Sequence, residues 1–489
     1  MNLENDYSRL PGTLYTRGDP VPVAAPRLIK FNEPLATELR LELNSRRPDD
    51  LARVFSGNEK LPGSEPIAMA YAGHQFGSFV PRLGDGRAVL LGEARDRQGV
   101  LKDIQLKGAG RTTYSRGGDG RAALGPVLRE YLVSEAMTAM GIPSTRSLAA
   151  VLTGERVERG PASLPGAILT RVASSHVRVG TFEYLAARGD TPTLRSLADY
   201  IIDRHYPDAK RADVPYRRLL DLVVDRQAYL VAQWMKVGFI HGVMNTDNTS
   251  VVGETIDYGP CAFMDAYDPQ AVFSSIDAGG RYSFANQPAI AQWNLARFAE
   301  TLLPLFGAEK AQAIALATES ISAYSAKFHQ QWLTAMRSKL GLQQVQADDE
   351  ELIGALLDLM HRSQADYTVT FRGLADYLEP ERSGRGVEEA LDDHADFRAW
   401  LRRWAQRGAV EPRGSAARRD VMDQANPSYI PRNHRIEEVI TAATDNEDFA
   451  PFEALLEVIV RPYEEQPGAA VYATPPRPEQ RVLETFCGT

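Results

Sequence analysis

The sequence predicts an α+β protein in which a small sheet with one long helix precedes a larger helical body. Residues 67–179 are rich in glycine and in short strand-like runs, whereas the chain after Thr181 has mainly helical periodicity. The two kinds of structure are therefore expected in separate parts of the chain. The expected units are an N-terminal extension (1–65), a strand-rich unit (66–180), a helical unit (181–340) and a helical C-terminal region (341–489).

The main elements follow from local patterns. Residues 87–93 are mostly apolar and residues 103–107 alternate, so both are predicted strands, and residues 96–99 between them have the chemistry of a tight turn. Residues 126–140 carry helical spacing before a Gly-Ile-Pro stop. Residues 216–237 predict a second long amphipathic helix, and helices with polar links continue to the C-terminus.

Composition excludes several classes of protein. The chain has 489 residues, 44% of them hydrophobic, which is enough for a large buried core. A formal net charge of -9 without a long Lys/Arg run disfavours nucleic acid as a partner. No apolar run reaches the roughly 20 residues that span a bilayer, and the start resembles no secretory signal. Two cysteines suit a reducing compartment, so we expect a cytoplasmic protein without a membrane partner.

The strongest chemical signal is the run HGVMNTDN at residues 241–248, followed by TIDYG at residues 255–259. An amide oxygen from Asn248 and a carboxylate from Asp257 are ligand types that Mg²⁺ or Mn²⁺ accepts when it neutralises a triphosphate. The spacing resembles the catalytic and metal-binding steps of aminoglycoside- and choline-kinase-like proteins. We expect residues 251–252 and 255–256 to form two short strands that bring Asn248 and Asp257 together.

One position departs from that kinase pattern. Such kinases carry a catalytic Asp two residues after the His, where this chain has Val243, and a valine cannot accept a proton. Asp247 is the nearest replacement carboxylate. The alternative interpretation is a buried His241 followed by a solvated Asn/Asp turn.

Several upstream groups could hold phosphate. Residues 83–87 read LGDGR, and glycines there let backbone N–H groups approach phosphate oxygens. Lys107 ends the next predicted strand, where a helix carboxylate could hold it toward phosphates. Glu130 and Glu135 are the two candidates, and Glu130 is preferred because it comes earlier in the helix, beside the apolar face.

A Gly/Arg-rich loop and two further arginines have no counterpart in ordinary kinases. The loop covers residues 111–121, and Arg171 and Arg178 follow downstream. Guanidinium groups suit phosphate oxygens, of which a triphosphate carries several. Alternatively, these arginines pair with acidic side chains of this acidic protein.

Five segments together resemble the selenoprotein O family: YAGHQFG (71–77), QLKGAGRT (105–112), DGRA (119–122), HGVMNTDN (241–248) and NPSYIPRN (426–433). The resemblance spans the chain from about Pro66 onward. It implies a bilobal protein-kinase-like fold that binds ATP in reversed orientation. It also implies transfer of AMP to Ser, Thr or Tyr hydroxyls of protein substrates, with release of pyrophosphate.

The resemblance also assigns residues. Asp247 is the implied proton acceptor, Asn248 and Asp257 the ligands of Mg²⁺ or Mn²⁺, and Glu130 the ion-pair partner of Lys107. The implied nucleotide-binding residues are Gly84, Gly86, Arg87, Lys107, Asp119, Gly120, Arg171, Arg178 and Asp257.

The two cysteines suggest a redox hypothesis. Eukaryotic members of the family carry selenocysteine near the C-terminus, where this chain has Cys487, and Cys261 follows the metal-binding Asp. A disulfide between them would tie the tail over this segment, and redox proteins are possible substrates; two unrelated thiols are the alternative. Two other functions also stay open. One is a phosphotransferase with Asp247 as base and ATP in the ordinary orientation, and the other is a non-catalytic ATP-binding or redox-interaction module.

Overall fold

An antiparallel sheet organises the N-terminal part of the protein, which a computed structural model describes at residues 2–307, 309–379, 387, 391, 394–412 and 414–486. The strands are β1 (Tyr15–Arg17), β2 (Arg27–Phe31), β3 (Ile67–Met69), β4 (Gly73–Gln75), β5 (Ser78–Val80), β6 (Ala88–Arg95), β7 (Leu101–Lys107), β8 (Ala122–Ala123), β9 (Arg146–Arg159), β10 (Ala162–Ala173), β11 (Phe239–Ile240) and β12 (Ala262–Phe263). The large sheet has the order β1-β3-β6-β7-β10-β9-β2, and β8 pairs with β10. The predicted α+β class is confirmed.

The predicted hairpin corresponds to β6 and β7. Its turn is fixed by Asp96, whose Oδ1 accepts hydrogen bonds from the backbone N–H groups of Gln98 and Val100, both at 2.9 Å. On the other side, β7 pairs with β10, so that Arg171 lies opposite Gln105. Because side chains alternate along a strand, Asp103, Gln105 and Lys107 share one face of β7.

The N-terminal 65 residues contribute to both edges of this sheet. Strand β1 pairs with β3, and β2 pairs with β9. Helix α2 (Pro48–Phe55) buries Phe55, whose ring stacks on Phe31 with centroids 5.6 Å apart. Segments within residues 2–65 are therefore part of the sheet and of its core.

The other face of the sheet is covered by α3 (Leu124–Ala139), which agrees with the predicted helix at 126–140 to within two residues. This helix is buried on nearly all sides because C-terminal helices pack on it as well. Tyr131 meets Phe452 edge to face with ring centroids 5.5 Å apart, and Arg129 forms an ion pair with Glu437. The C-terminal region thus supports the helix that carries Glu130.

Helices dominate the rest of the chain. They are α1 (Glu33–Glu38) near the N-terminus, then α4 (Val179–Ala186), α5 (Thr191–His205), α6 (Pro215–Lys236), α7 (Gln287–Leu302), α8 (Lys310–Lys339), α9 (Asp349–Ser363), α10 (Tyr367–Gly373), α11 (His394–Gly408), α12 (Ser415–Ala425), α13 (Asn433–Asn446), α14 (Ala450–Ile459) and α15 (Ala470–Ala473). Helix α6 matches the predicted 216–237 and packs against α7 and α8. Within the described ranges, no helix has both the length and the apolar character needed to cross a membrane.

The prediction of short strands at 251–252 and 255–256 is wrong. These residues bond to other segments instead: the Val251 N–H donates to Val177 O at 3.2 Å, and the Thr255 N–H donates to Pro143 O at 2.9 Å. The antiparallel pair in this region is β11 with β12. The stretch between them is therefore held to the N-terminal part of the molecule, which positions it for the site described next.

Candidate active site

Four charged side chains, three of them buried and one partly exposed, meet where β7, β10 and α3 come together. Lys107 Nζ lies 2.6 Å from Glu130 Oε2 and 2.8 Å from Asp257 Oδ1. Arg171 contacts Glu130 through Nε and reaches Asp257 Oδ1 with Nη2 at 3.0 Å. We call these four residues the Lys107 cluster. Its two cations share two carboxylates, and Asp257 is the member with most access to solvent, with a side chain 22% exposed against 2% for Glu130.

The helix carboxylate beside Lys107 is Glu130, while Glu135 faces elsewhere. Glu135 accepts hydrogen bonds from Arg146 Nε and Nη2, both at 2.8 Å, and from the Ser147 N–H at 3.0 Å. Five residues along a helix with 3.6 residues per turn place two side chains on different faces. Helical geometry thus separates the two candidates.

The cluster strongly favours ionised carboxylates. Burial disfavours the charge of Asp257, but Lys107, Arg171 and Arg87 outweigh it and hold the pKa of that carboxyl well below its usual range. Burial likewise opposes the charge of Glu130, whose pKa Arg171 and Lys107 still lower. Asp257 also has a positive φ of 67°, a strained backbone conformation that is common at functional sites.

Asp247 lies on a single helical turn, Thr246–Asn248. Its Oδ2 accepts a long hydrogen bond of 3.3 Å from Gln75 Nε2, and its buried Oδ1 has no hydrogen-bond partner within the described chain. Burial raises the pKa of Asp247 to about 6. Hydrogen bonds thus engage this carboxylate only weakly, which leaves it capacity to accept a proton from a reacting hydroxyl.

Asn248 and Asp257 suit a hard divalent cation. Asn248 donates from Nδ2 to Val243 O at 3.0 Å, which leaves its amide oxygen free to bind. His241 Nε2 bonds to Ile256 O at 2.9 Å and so joins the loop to the residue before Asp257. The described residues hold no group of three or more His, Cys, Asp or Glu that would enclose a metal. Phosphate oxygens and water would complete the ligand set, as Mg²⁺ prefers.

A hairpin that sequence reasoning left without a role covers this loop. A Cβ on Gly73 in β4 would collide with Asp247 Oδ1, so only glycine permits this approach. The His74 N–H donates to Thr246 Oγ1 at 2.6 Å, and Thr246 Oγ1 donates to Glu183 Oε2 at 2.5 Å. His74 Nδ1 completes the ring at 2.5 Å from Glu183 Oε1. The motif YAGHQFG marks this hairpin in the sequence, but the motif alone does not show that the hairpin contacts the Asp247 loop.

The glycine turn at residues 84–86 is held beneath the Gly/Arg-rich loop. A Cβ on Gly84 would collide with the Tyr114 ring, and Ser115 bonds to the carbonyl of Gly86. Arg87 directly precedes β6, and its carbonyl accepts hydrogen bonds from the N–H groups of residues 108 and 109. This turn thus lies next to the end of β7 that carries the Lys107 cluster.

Three other predicted residues make different contacts. Arg178 donates from Nη1 to the backbone oxygen of Asp247 at 3.0 Å, and its guanidinium stacks on the Tyr71 ring at 4.4 Å. Asp119 pairs with Arg159 at 2.8 Å, while the carbonyl of Gly120 accepts from the Gly110 N–H at 2.9 Å. Arg178 thus braces the Asp247 loop, and Asp119 with Gly120 shapes the glycine-rich loop; all three lie outside the Lys107 cluster.

Cys261 is buried as a free thiol, and burial raises its pKa to about 12. Cys487 lies outside the described residues. The chain just before it does reach this region, because Thr485 Oγ1 donates to Pro260 O at 2.6 Å.

The site can now be compared with known proteins. A family model described as protein adenylyltransferase SelO matches residues 1–460. Proteins called protein nucleotidyltransferase YdiU are similar over almost their entire length. The one from Bradyrhizobium sp. (strain ORS 278) is 59% identical over 490 residues, covering 99% of each chain. The one from Rhizobium rhizogenes is 58% identical over 486 residues, covering 99% of this chain and 96% of the relative.

The agreement extends across the sheet, the Asp247 loop and the C-terminal helices, since the matched residues include all of them. The chain therefore belongs to the SelO family of protein adenylyltransferases.

Proposed function

We propose that this protein transfers AMP from ATP to Ser, Thr or Tyr hydroxyls of other proteins and releases pyrophosphate. The observation that carries the proposal is that Arg171 and Lys107 contact the same two carboxylates, those of Glu130 and Asp257. Two buried cations meet at one carboxylate oxygen of Asp257, where an ordinary kinase arrangement needs only the lysine. The additional cation supplies charge for the most anionic part of a nucleotide deep in the site.

The proposed ATP orientation follows from this charge distribution. Terminal phosphates carry most of the negative charge of ATP, so they are placed beside Lys107 and Arg171, with the uncharged base directed outward. The α-phosphorus then faces Asp247. Arg87 and the turn at residues 84–86 would line the phosphates, and the loop with Asp119 and Gly120 would close over them. Arg178 would hold the Asp247 loop in place through its hydrogen bond to the backbone oxygen of Asp247.

The transfer step then needs one base. The Asp247 carboxylate accepts the proton of the substrate hydroxyl, and the hydroxyl oxygen attacks the α-phosphorus. The bond from that phosphorus to the bridging oxygen breaks, and pyrophosphate leaves with the electron pair. A Mg²⁺ or Mn²⁺ ion held by Asn248 and Asp257 would neutralise charge on the phosphates.

The same residues support a bilobal protein-kinase-like architecture. Lys107 with Glu130 on α3 would belong to the first lobe, at residues 66–180, and the Asp247 loop to the second, at residues 181–340. Residues 1–65 would extend the first lobe, and residues 341–489 would brace both, as the packing of Phe452 on α3 suggests.

Position-specific labelling of ATP tests the proposal. With a library of synthetic peptides carrying Ser, Thr or Tyr, label from the α-phosphate should enter the peptide and label from the γ-phosphate should leave as pyrophosphate. Transfer of the γ-label alone would indicate the phosphotransferase with ATP in the ordinary orientation. Transfer of neither would indicate a non-catalytic ATP-binding module.

An Asp247→Asn variant tests the proposed base. Removing a general base should lower kcat by about 10²- to 10⁴-fold, while the affinity for metal-bound ATP stays within about twofold. Asp203→Asn is a matched control, because Asp203 pairs with Lys210 on the surface and its side chain is 59% exposed. An equal loss in both variants, or an unchanged kcat in Asp247→Asn, would remove Asp247 from this role.

We also propose that Cys261 and Cys487 form the redox-sensitive disulfide. The hydrogen bond from Thr485 to Pro260 supports this disulfide, since Thr485 lies two residues before Cys487. The buried thiol of Cys261 opposes rapid oxidation, because the thiolate is the reactive form. Mass analysis of unreduced peptides after mild oxidation should find the linked pair, and two free thiols would contradict it.

A further inference from the structure

Three arginines surround the hairpin of β4 and β5, and the proposed transfer step uses none of them. Arg281 lies against the turn, since a Cβ on Gly77 would be 3.5 Å from its Cζ. Arg188 donates from Nη1 to Pro81 O at 3.4 Å, directly after β5, and Arg82 is the next residue. We call Arg82, Arg188 and Arg281 the hairpin arginines.

Each hairpin arginine is supported by an aromatic ring instead of a carboxylate. None of the three forms an ion pair with an Asp or Glu among the residues that the structure describes. The distances from Cζ to the ring centroid are 5.5 Å for Arg82 over Tyr114, 3.5 Å for Arg188 over Tyr184 and 4.9 Å for Arg281 over Trp293. A stacked guanidinium is held in place and still presents N–H donors at its edge to an anion.

This grouping is notable in a chain with a net charge of -9. Several other arginines of the protein are neutralised internally; Arg407, for example, pairs with Asp349 at 2.7 Å and Arg432 with Asp265 at 2.6 Å. The hairpin arginines therefore form a local basic surface on an acidic protein. Such a surface attracts anionic groups of a partner while the rest of the molecule repels them.

The hairpin lies on the acceptor side of the site. Gly73 and Gln75 on β4 contact Asp247, the proposed base, whereas Lys107 and Arg171, the proposed partners of the triphosphate, contact Glu130 and Asp257. The hairpin also exposes an apolar side chain, Phe79, which is 40% exposed. A second phosphate-binding surface is not needed here, but an acceptor segment must pass this hairpin to reach Asp247.

We propose that the hairpin arginines bind an acidic segment of the acceptor protein, with Asp or Glu residues beside the hydroxyl that receives AMP. The proposal rests on the adenylyl transfer proposed above and specifies the class of its protein substrates. Exposed ion pairs of this kind are individually weak and weaken further with salt, so the three together act mainly on substrate selection.

Matched peptides test this inference. Each pair carries a single Ser, Thr or Tyr, flanked on both sides by Asp and Glu in one peptide and by Asn and Gln in the other. The wild-type protein should prefer the acidic peptide by about tenfold in kcat/KM at low salt, mostly through KM. The preference should shrink as ionic strength rises.

Variants then assign the preference to these side chains. The triple change Arg82→Ala, Arg188→Ala and Arg281→Ala should abolish the preference, and Arg82→Glu alone should weaken binding of the acidic peptide while the neutral peptide is unaffected. Arg82→Lys should retain most of the preference. Arg195→Ala is the matched control, because Arg195 stacks on Tyr216 at 5.4 Å but lies on α5. Binding of metal-bound ATP, measured by calorimetry, should stay unchanged in all of them.

The outcomes separate the two proposals. AMP transfer at equal rates to acidic and neutral peptides would overturn the docking inference and leave the transfer function intact. Absence of AMP transfer to any acceptor would overturn the transfer function itself. Weaker ATP binding in the triple variant would show that the arginines serve the nucleotide, and an equal effect of Arg195→Ala would show that the surface is unspecific; both results contradict the docking proposal.

Discussion

Strand β7 carries a buried charge cluster at each end of the same face. The Lys107 cluster lies at its carboxyl end, and at its start Asp103 accepts hydrogen bonds from Arg204 Nη2 at 2.7 Å and from the His176 N–H at 2.8 Å. Glu93 lies directly opposite Asp103 in the sheet. We call Asp103, His176, Arg204 and Glu93 the Asp103 cluster.

Each cluster contains an Asp, a Glu and an Arg, and the main difference between the two is access to solvent. The side chains of the Asp103 cluster are at most 8% exposed, and its carboxylates are bonded to backbone N–H groups as well as to cations. Asp257 in the Lys107 cluster is 22% exposed, and the contacts described above engage only its Oδ1. A cluster with a partly exposed carboxylate can exchange its internal partners for a ligand. A cluster whose carboxylates are all buried stabilises the fold instead.

The largest difference between the two clusters should be seen in catalysis when Asp257 is replaced, in the variant Asp257→Asn. The substitution removes the charge that a metal-bound triphosphate needs, so kcat/KM for transfer should fall by at least about 10³-fold. Metal-dependent ATP binding, measured by calorimetry with and without Mg²⁺, should be lost with it. The protein should remain folded, because Glu130 still pairs with Lys107 and Arg171 and the partly exposed position of residue 257 lets solvent compensate the remaining positive charge. Retention of metal-dependent binding would assign the metal to other residues.

For Asp103→Asn we expect a loss of stability with almost no loss of catalysis. Removing one partner of a buried ion pair leaves Arg204 poorly compensated, which should lower the free energy of unfolding by about 3 kcal/mol. At a temperature where the variant is folded, its kcat should stay within about twofold of wild type. Denaturant unfolding and AMP transfer measured on the same samples make the comparison. A loss of activity without a loss of stability would mean that this cluster also serves the reaction.

Sequence patterns predicted most of the large elements and part of the site. The strands β6 and β7, helix α3 and helix α6 follow from periodicity and turn chemistry, which act over short distances along the chain. The choice of Glu130 over Glu135 also agrees with the ion pair to Lys107. The helix spacing offered two candidates, and the packing of α3 on the sheet decides between them.

The parts that sequence reasoning missed depend on contacts between distant segments. Residues 251–252 have the composition of a strand but bond to Val177 and its neighbours, so their conformation is set by tertiary packing. The approach of Gly73 to Asp247 is invisible in a local pattern for the same reason. Nor does the alternation of Asp103, Gln105 and Lys107 show which end of β7 opens to a ligand.

The smallest predicted effect is a pH dependence of the unfolding free energy that arises in the Asp103 cluster. Burial, with the adjacent Asp103 charge, raises the pKa of Glu93 to about 7. For Asp103, burial opposes the charge but Arg204 and His176 outweigh it, so its pKa stays below the usual range and it remains ionised at neutral pH. A raised carboxyl pKa stabilises the fold at low pH, and that contribution is lost as pH rises through the folded-state value.

Glu93→Gln resembles the protonated carboxyl at every pH and so lacks this dependence. Between about pH 5 and about pH 8, wild type should lose about 1–2 kcal/mol of unfolding free energy relative to the variant. Denaturant titrations of both proteins at each pH isolate Glu93, because every other titrating group is common to the two. A stability difference that stays constant across this range would mean that Glu93 is ionised throughout. The Asp103 cluster would then hold two ionised carboxylates against one arginine, whereas the Lys107 cluster sets two cations against its two carboxylates.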